Sequence, residues 1–364
     1  MKKALIILLV LAVAGGAFGQ TFNWSGNFQS GFGIQIPDEG DALIRMQGNT
    51  YDFINRLDLN LNAANADNAA GFDGVLRWNN ITGGEGFTPV VERANLWMDV
   101  SDGMIRLSAG RGGPGGFGAG GSMNPSFDLA AGDRNVSATV FATDELRLGF
   151  TIRPRATASP LDEIQYIFGA RYDITGTARI VGLFQYNNKA INLAAGVDIF
   201  ALADMGLTKL GLDVQFLDAT QENADMSEIR LSQAITYTAP TSLQIGLTLR
   251  EILQIGDAAR EFPLMRFTGW VQYPTGIFTP RLDFGVSINT DPNLNYRKPG
   301  DFLRDNQHGD DNVTAEDTMA IAFSPNLGIN LGGGASLEIG YTFGMNLETE
   351  VMCNSIYLNM RVNF

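Results

Sequence analysis

Between Phe22 and Ile36 the chain alternates without a break. Even positions carry Phe22, Trp24, Gly26, Phe28, Ser30, Phe32, Ile34 and Ile36, and odd positions carry Asn23, Ser25, Asn27, Gln29, Gly31, Gly33 and Gln35. A period of two places aromatic and aliphatic groups on one face of an extended strand and amides on the other. The run is also far longer than the usual strand of about five or six residues. A chain built this way must find an apolar environment for one face and a polar one for the other, along the whole strand.

The same grammar recurs to the last residue. Leu57, Leu59 and Leu61 alternate with Arg56, Asp58, Asn60 and Asn62; Phe72, Gly74, Leu76 and Trp78 alternate with Asp73, Arg77 and Asn79. Ala94 to Val100 and Ile105 to Ala109 continue it around the turn Ser101-Asp102-Gly103, and later runs include Ile164 to Tyr172, Leu243 to Leu249, Leu282 to Ile288, Met319 to Leu331 and Leu337 to Phe343. About eighteen strands result, with sixteen as the alternative because spans such as Thr177 to Tyr186 divide in more than one way.

Hydrophobic residues make up 45% of the chain, yet beyond the first residues no apolar run reaches the length of a membrane helix, which needs about 20 residues. Alternating strands dilute hydrophobicity by half, so a membrane protein of this composition has to be a barrel, in which no strand edge is left unpaired in lipid. Connection lengths alternate as such a barrel requires. Long ones (Pro37 to Tyr51, Gly110 to Arg134, Thr290 to Asp317) fall in phase against short ones (Ser101 to Gly103, Ala142 to Glu145, Ala239 to Thr241, Gly332 to Ala335). A soluble sandwich or β-helix would not need that phase, nor an arginine- and amide-rich second face on so many long strands.

The N-terminus reads as an export signal: Lys2 and Lys3, an apolar run from Ala4 to Val13, then small residues up to Gly19. The expected division is residues 1–19 as a cleaved leader and 20–364 as a single barrel domain. Removing the leader takes away two lysines and no acid, moving the formal charge from −14 to −16. A field of that sign argues against nucleic acid as a partner. Cys353 is the single cysteine, which excludes a disulfide framework and a thiolate metal cage.

At the other end Ile356, Leu358, Met360, Val362 and Phe364 alternate with Ser355, Tyr357, Asn359, Arg361 and Asn363. This resembles the terminal strand by which outer-membrane barrels are recognised by the barrel assembly machinery, with Phe364 as the signal. A second resemblance lies in Glu92-Arg93-Ala94-Asn95-Leu96-Trp97-Met98-Asp99-Val100, a tight turn, and Gly103-Met104-Ile105-Arg106-Leu107-Ser108-Ala109-Gly110-Arg111. The pair is similar to the strands before the constriction loop of general bacterial porins. The resemblance implies an outer-membrane barrel of a diderm bacterium, a long third extracellular loop folded into the lumen, a homotrimer in outer-membrane lipid, no cofactor, and passive diffusion of small hydrophilic solutes and ions. The loop from Arg111 to Asp133 carries Pro114-Gly115-Gly116-Phe117-Gly118, which lacks the acid of the family's corresponding motif, so solute specificity does not transfer.

The candidate pore lining follows from parity. Arg56, Arg77, Arg93 and Arg106 take the polar parity on four consecutive strands and make one positive stripe. Arg147, Arg153, Arg171 and Arg179 continue it. The porin resemblance puts Arg111, Phe117, Asp128 and Asp133 at the constriction, and Asp128 and Asp133 on the loop, with Asp198, Asp213, Asp283 and Glu338 on other strands, are the possible opposing acids that would set up a transverse field. Inward arginines that merely hydrogen-bond their neighbours are the plainer alternative. Trp97 and Trp270, also on the polar parity, keep open a substrate-selective channel, and a surface adhesin with a plugged lumen is a further rival. The glycines around Phe117 are not a phosphate loop, since no Gly-Lys-Ser/Thr ending follows. Catalysis is not expected: His308 is the only histidine, with no serine near it in sequence. Its acidic loop, Asp301 to Asp317, lacks the spacing of a dedicated calcium site.

Overall fold

In the computed structural model the alternating segments are strands that join edge to edge into a single sheet closed on itself. The structure describes residues 21–37, 41–45, 56–79, 90–111, 117, 135–154, 164–187, 190–218, 226–256, 263–289, 319–350 and 352–364. The staves are β1 (Thr21–Pro37), β2 (Arg56–Ala64), β3 (Ala70–Asn79), β4 (Val90–Val100), β5 (Ile105–Arg111), β6 (Asn135–Phe141), β7 (Leu146–Pro154), β8 (Ile164–Ile174) and β9 (Ala178–Asn187). They continue as β10 (Ala190–Ile199), β11 (Leu207–Leu217), β12 (Met226–Thr238), β13 (Gln244–Gly256), β14 (Leu264–Gln272), β15 (Phe278–Ile288), β16 (Met319–Gly332), β17 (Ala335–Asn346) and β18 (Met352–Asn363).

Each stave pairs antiparallel with the next in sequence, and β18 returns to β1 from Asn27↔Asn363 to Pro37↔Cys353. The result is a closed 18-stranded antiparallel barrel, of the size that leaves an aqueous channel. The seam is completed by reciprocal backbone bonds between Gly26 and Phe364, 2.8 and 2.9 Å long. A side chain at Gly26 would put its Cβ 2.6 Å from the Phe364 ring, so only glycine lets that ring lie across the seam. One three-residue strand, Leu43–Arg45, pairs with Gly33–Gln35 above the point where β2 begins at Gln29↔Arg56. It lies inside the expected connection Pro37 to Tyr51, because β1 is long enough to hold two partners along one edge.

At one end of the barrel the connections are tight: 101–104, 142–145, 175–177 and 333–334, with a single 3-10 turn, Ala203–Met205, between β10 and β11. At the other end they include 112–134 and 289–318, with 188–189 a short exception. Short turns mark the periplasmic end of such barrels.

The outer face is the apolar parity. Trp24, Tyr172 and Phe364 are exposed there, as are Leu96, Phe168, Ile235 and Ile356, which suits contact with lipid. The inner face is largely polar, and its inward apolar side chains cluster on β8 to β11, where Ile167, Val181, Leu183, Ala194 and Leu217 point inward. With Val181 and Leu183 inside and Ile180 and Phe184 outside, β9 is apolar on both faces. That is why the stretch from Thr177 to Tyr186 lacks a clean period.

Candidate functional site

The register places Arg56, Arg77, Arg93 and Arg106 on the inner face of β2 to β5, as parity requires. They are not an unopposed positive stripe. Arg56 Nε lies 3.1 Å and Arg77 Nε 2.8 Å from the two oxygens of Asp58, which is buried. Arg77 Nη1 reaches Glu92 Oε1 at 2.9 Å, and Arg106 grips Asp99 with two bonds of 2.7 and 2.8 Å. Each of these acids sits on the same wall as its arginine, so positive and negative groups interleave and the expected field between opposite walls is replaced by short-range pairs. Two geometries make these pairs: Arg56 and Asp58 share a face as i and i+2, about 7 Å apart and within reach of a guanidinium arm, while Asp58↔Arg77 and Asp99↔Arg106 stand directly opposite on neighbouring strands.

The same spacing recurs as ion pairs at Arg171–Asp173, Glu228–Arg230 and Arg281–Asp283. An acid two residues from an arginine was the available sequence signal for Asp58. Glu92 had none, because a bulge in β4 opposite Val75/Leu76 leaves it as the extra residue and turns it toward Arg77.

Arg111 departs from expectation. It pairs with Ala94, on the parity of Leu96 and Met98, so the register sets it on the outward row at the end of β5. Asp128 and Asp133 lie outside the described residues, as do His308 and the acidic segment 301–317. Among the opposing acids, Asp198, Asp213 and Asp283 are inward and buried, Asp283 is bound by Arg281, and Glu338 accepts a hydrogen bond from the Tyr357 hydroxyl. Among the described residues no group of three His, Cys, Asp or Glu side chains could hold a metal ion.

Phe117, also expected at the constriction, is described as well. It is 1% exposed and packs against Ile167, Val181, Leu183 and Leu217, with Ala194 beside them. These are the inward apolar positions of β8 to β11, three to six staves from β5, so Phe117 lies inside the barrel against that part of the wall. Sequence reasoning placed Phe117 in the constriction and missed its receptor, although the loss of alternation on β9 was the visible trace of it.

Access to water differs sharply around the inner wall. Ser287, Ala320, Ala322 and Ser324 on β15 and β16 face inward yet have no exposed surface. By contrast Asn23, Ser25, Asn62, Asn79, Arg93 and Arg361 are exposed. These exposed inward side chains lie on β18 and β1 to β4, on the same side of the barrel as the paired arginines. Trp97 and Trp270 face inward on opposite sides, each with a guanidinium over its ring: Arg106 at 4.3 Å and Arg281 at 4.7 Å from the centroid. The other side of each ring lies on a wall glycine, Gly71 or Gly246.

A closed 18-stranded antiparallel barrel with a lipid-compatible exterior and a largely polar interior is the architecture of outer-membrane porins. Solved structures similar in fold include OpdQ of Pseudomonas aeruginosa (TM-score 0.58, 9% identity, 94% of this chain and 98% of that one). OccK8 (OprE) of the same organism has a TM-score of 0.58 at 8% identity over 94% and 98% of the two chains. OccAB4 of Acinetobacter baumannii has a TM-score of 0.53 at 12% identity over 95% and 99%. No protein-family model and no curated protein matches the sequence.

Proposed function

We propose that the barrel is an outer-membrane channel through which small hydrophilic solutes and ions diffuse passively, screened by the paired charges of β2 to β5. The observation that carries this is a closed barrel with paired charges on its inner face, and exposed inward side chains, Arg93 and the amides among them, on the same side as the Arg77 and Arg106 pairs. A substrate-selective channel would use open aromatic faces, and each inward tryptophan ring already carries a guanidinium and lies close to a wall glycine.

The test is single-channel recording of refolded protein in a planar bilayer. Stable ohmic conductance is expected, and a current that stays closed at all voltages would favour an adhesin with a plugged lumen. In a salt gradient, replacing Arg77 and Arg106 by glutamine uncovers Asp58, Glu92 and Asp99 and should move the reversal potential toward that of cations. An unchanged reversal potential would remove both arginines from the selectivity filter. The same proposal includes a homotrimer in the outer membrane, a leader over residues 1–19, and delivery by the assembly machinery through Phe364.

A further inference from the structure

All four guanidinium–aromatic contacts among the described residues lie at the short-turn end of the barrel. Arg106 and Arg281 rest on tryptophans, Arg147 stands 5.6 Å from the Phe141 centroid, and Arg179 stands 5.9 Å from that of Phe200. On β7 to β9 three guanidinium groups come from adjacent strands. Arg147 and Arg171 are directly opposite one another across β7 and β8, both facing the lumen. Asp173 accepts from Arg171 at 2.7 Å and from Arg179 at 2.8 Å. Asp198 faces Arg179 from β10, and the carboxylate of Glu145 is taken by the Thr143 hydroxyl. The contact made by the Arg147 guanidinium is with a phenylalanine ring.

Like charges directly opposite on a sheet repel, and an aromatic face holds a guanidinium in place without neutralising it. We propose that Arg147, with Arg171 and Arg179, forms a binding station for a small tetrahedral oxyanion at the periplasmic mouth, with inorganic phosphate as its simplest ligand. Guanidinium groups arriving from three adjacent strands match the three-oxygen face of a phosphate better than the two oxygens of a planar carboxylate. The station deepens the channel proposal by giving it an anion stop on the exit side, but binding itself does not require conduction.

The test is therefore calorimetric titration of inorganic phosphate into the full-length refolded barrel in neutral detergent, with sodium acetate at equal ionic strength as the comparison. Saturable binding in the millimolar range is expected for phosphate, at least fivefold weaker for acetate. Arg147→Gln should weaken phosphate binding about tenfold, and Arg230→Gln, on β12 beside its partner Glu228, should leave it unchanged. Phe141→Leu, which keeps every charge and tests the aromatic seat without risk to the ion pairs, should weaken it severalfold. No saturable binding, or equal binding by wild type and Arg147→Gln, overturns the station. Failure of conductance with phosphate binding intact would instead overturn the channel.

Discussion

Replacing Phe117 by alanine tests whether the constriction is held by one aromatic anchor. The ring is 1% exposed, and its receptor is built from Ile167, Val181, Leu183 and Leu217 on a wall that is largely polar. Burying a phenylalanine side chain contributes about 1.5–3 kcal/mol, and alanine leaves behind a cavity whose cost adds to the lost transfer energy. At about 1.4 kcal/mol per factor of ten, the seated state of the loop should lose about tenfold to about a hundredfold in population. The barrel itself should not unfold, because the staves are paired around the whole circumference independently of the anchor. In single-channel recordings Phe117→Ala should therefore show a larger mean conductance or rapid flicker between levels. Phe117→Leu, which refills most of the receptor, should behave close to wild type. Equal conductance and equal open-channel noise in Phe117→Ala and wild type would refute the anchor.

Two further outcomes follow from the geometry. Asp58→Asn removes the carboxylate shared by Arg56 and Arg77, and since breaking a buried pair costs about 3–5 kcal/mol, the urea midpoint should fall while the reversal potential moves toward that of anions; an unaltered midpoint would mean water already compensates the pair. Gly26→Val places a branched side chain against the Phe364 ring and the Asp58 carbonyl, so refolding yield on a heat-modifiability gel should drop markedly, whereas Gly182→Ala, with open space at its Cβ, should refold normally.

The neighbours in fold share about a tenth of their residues with this chain while covering nearly all of it. Such divergence is what a barrel permits. Lipid asks only that outward residues be apolar, and the backbone ladder supplies the pairing, so many sequences satisfy the same staves.

The sequence by itself determined the barrel, the two faces and the end at which loops are long. Each follows from period two and connection length, which are local properties any reader can count along the chain. It also placed Arg56, Arg77, Arg93 and Arg106 on the inner face, because parity survives without knowing which strands pair. Only the tertiary structure decided what those arginines meet. Asp58 lies nineteen residues from Arg77 and Glu92 enters through a bulge that breaks the parity count. The seat of Phe117 is assembled from four strands beyond the loop, and Arg111 falls on the outer row by register. Side-chain encounters across strands depend on register, bulges and barrel closure, and these are fixed by all eighteen staves together rather than by any one of them.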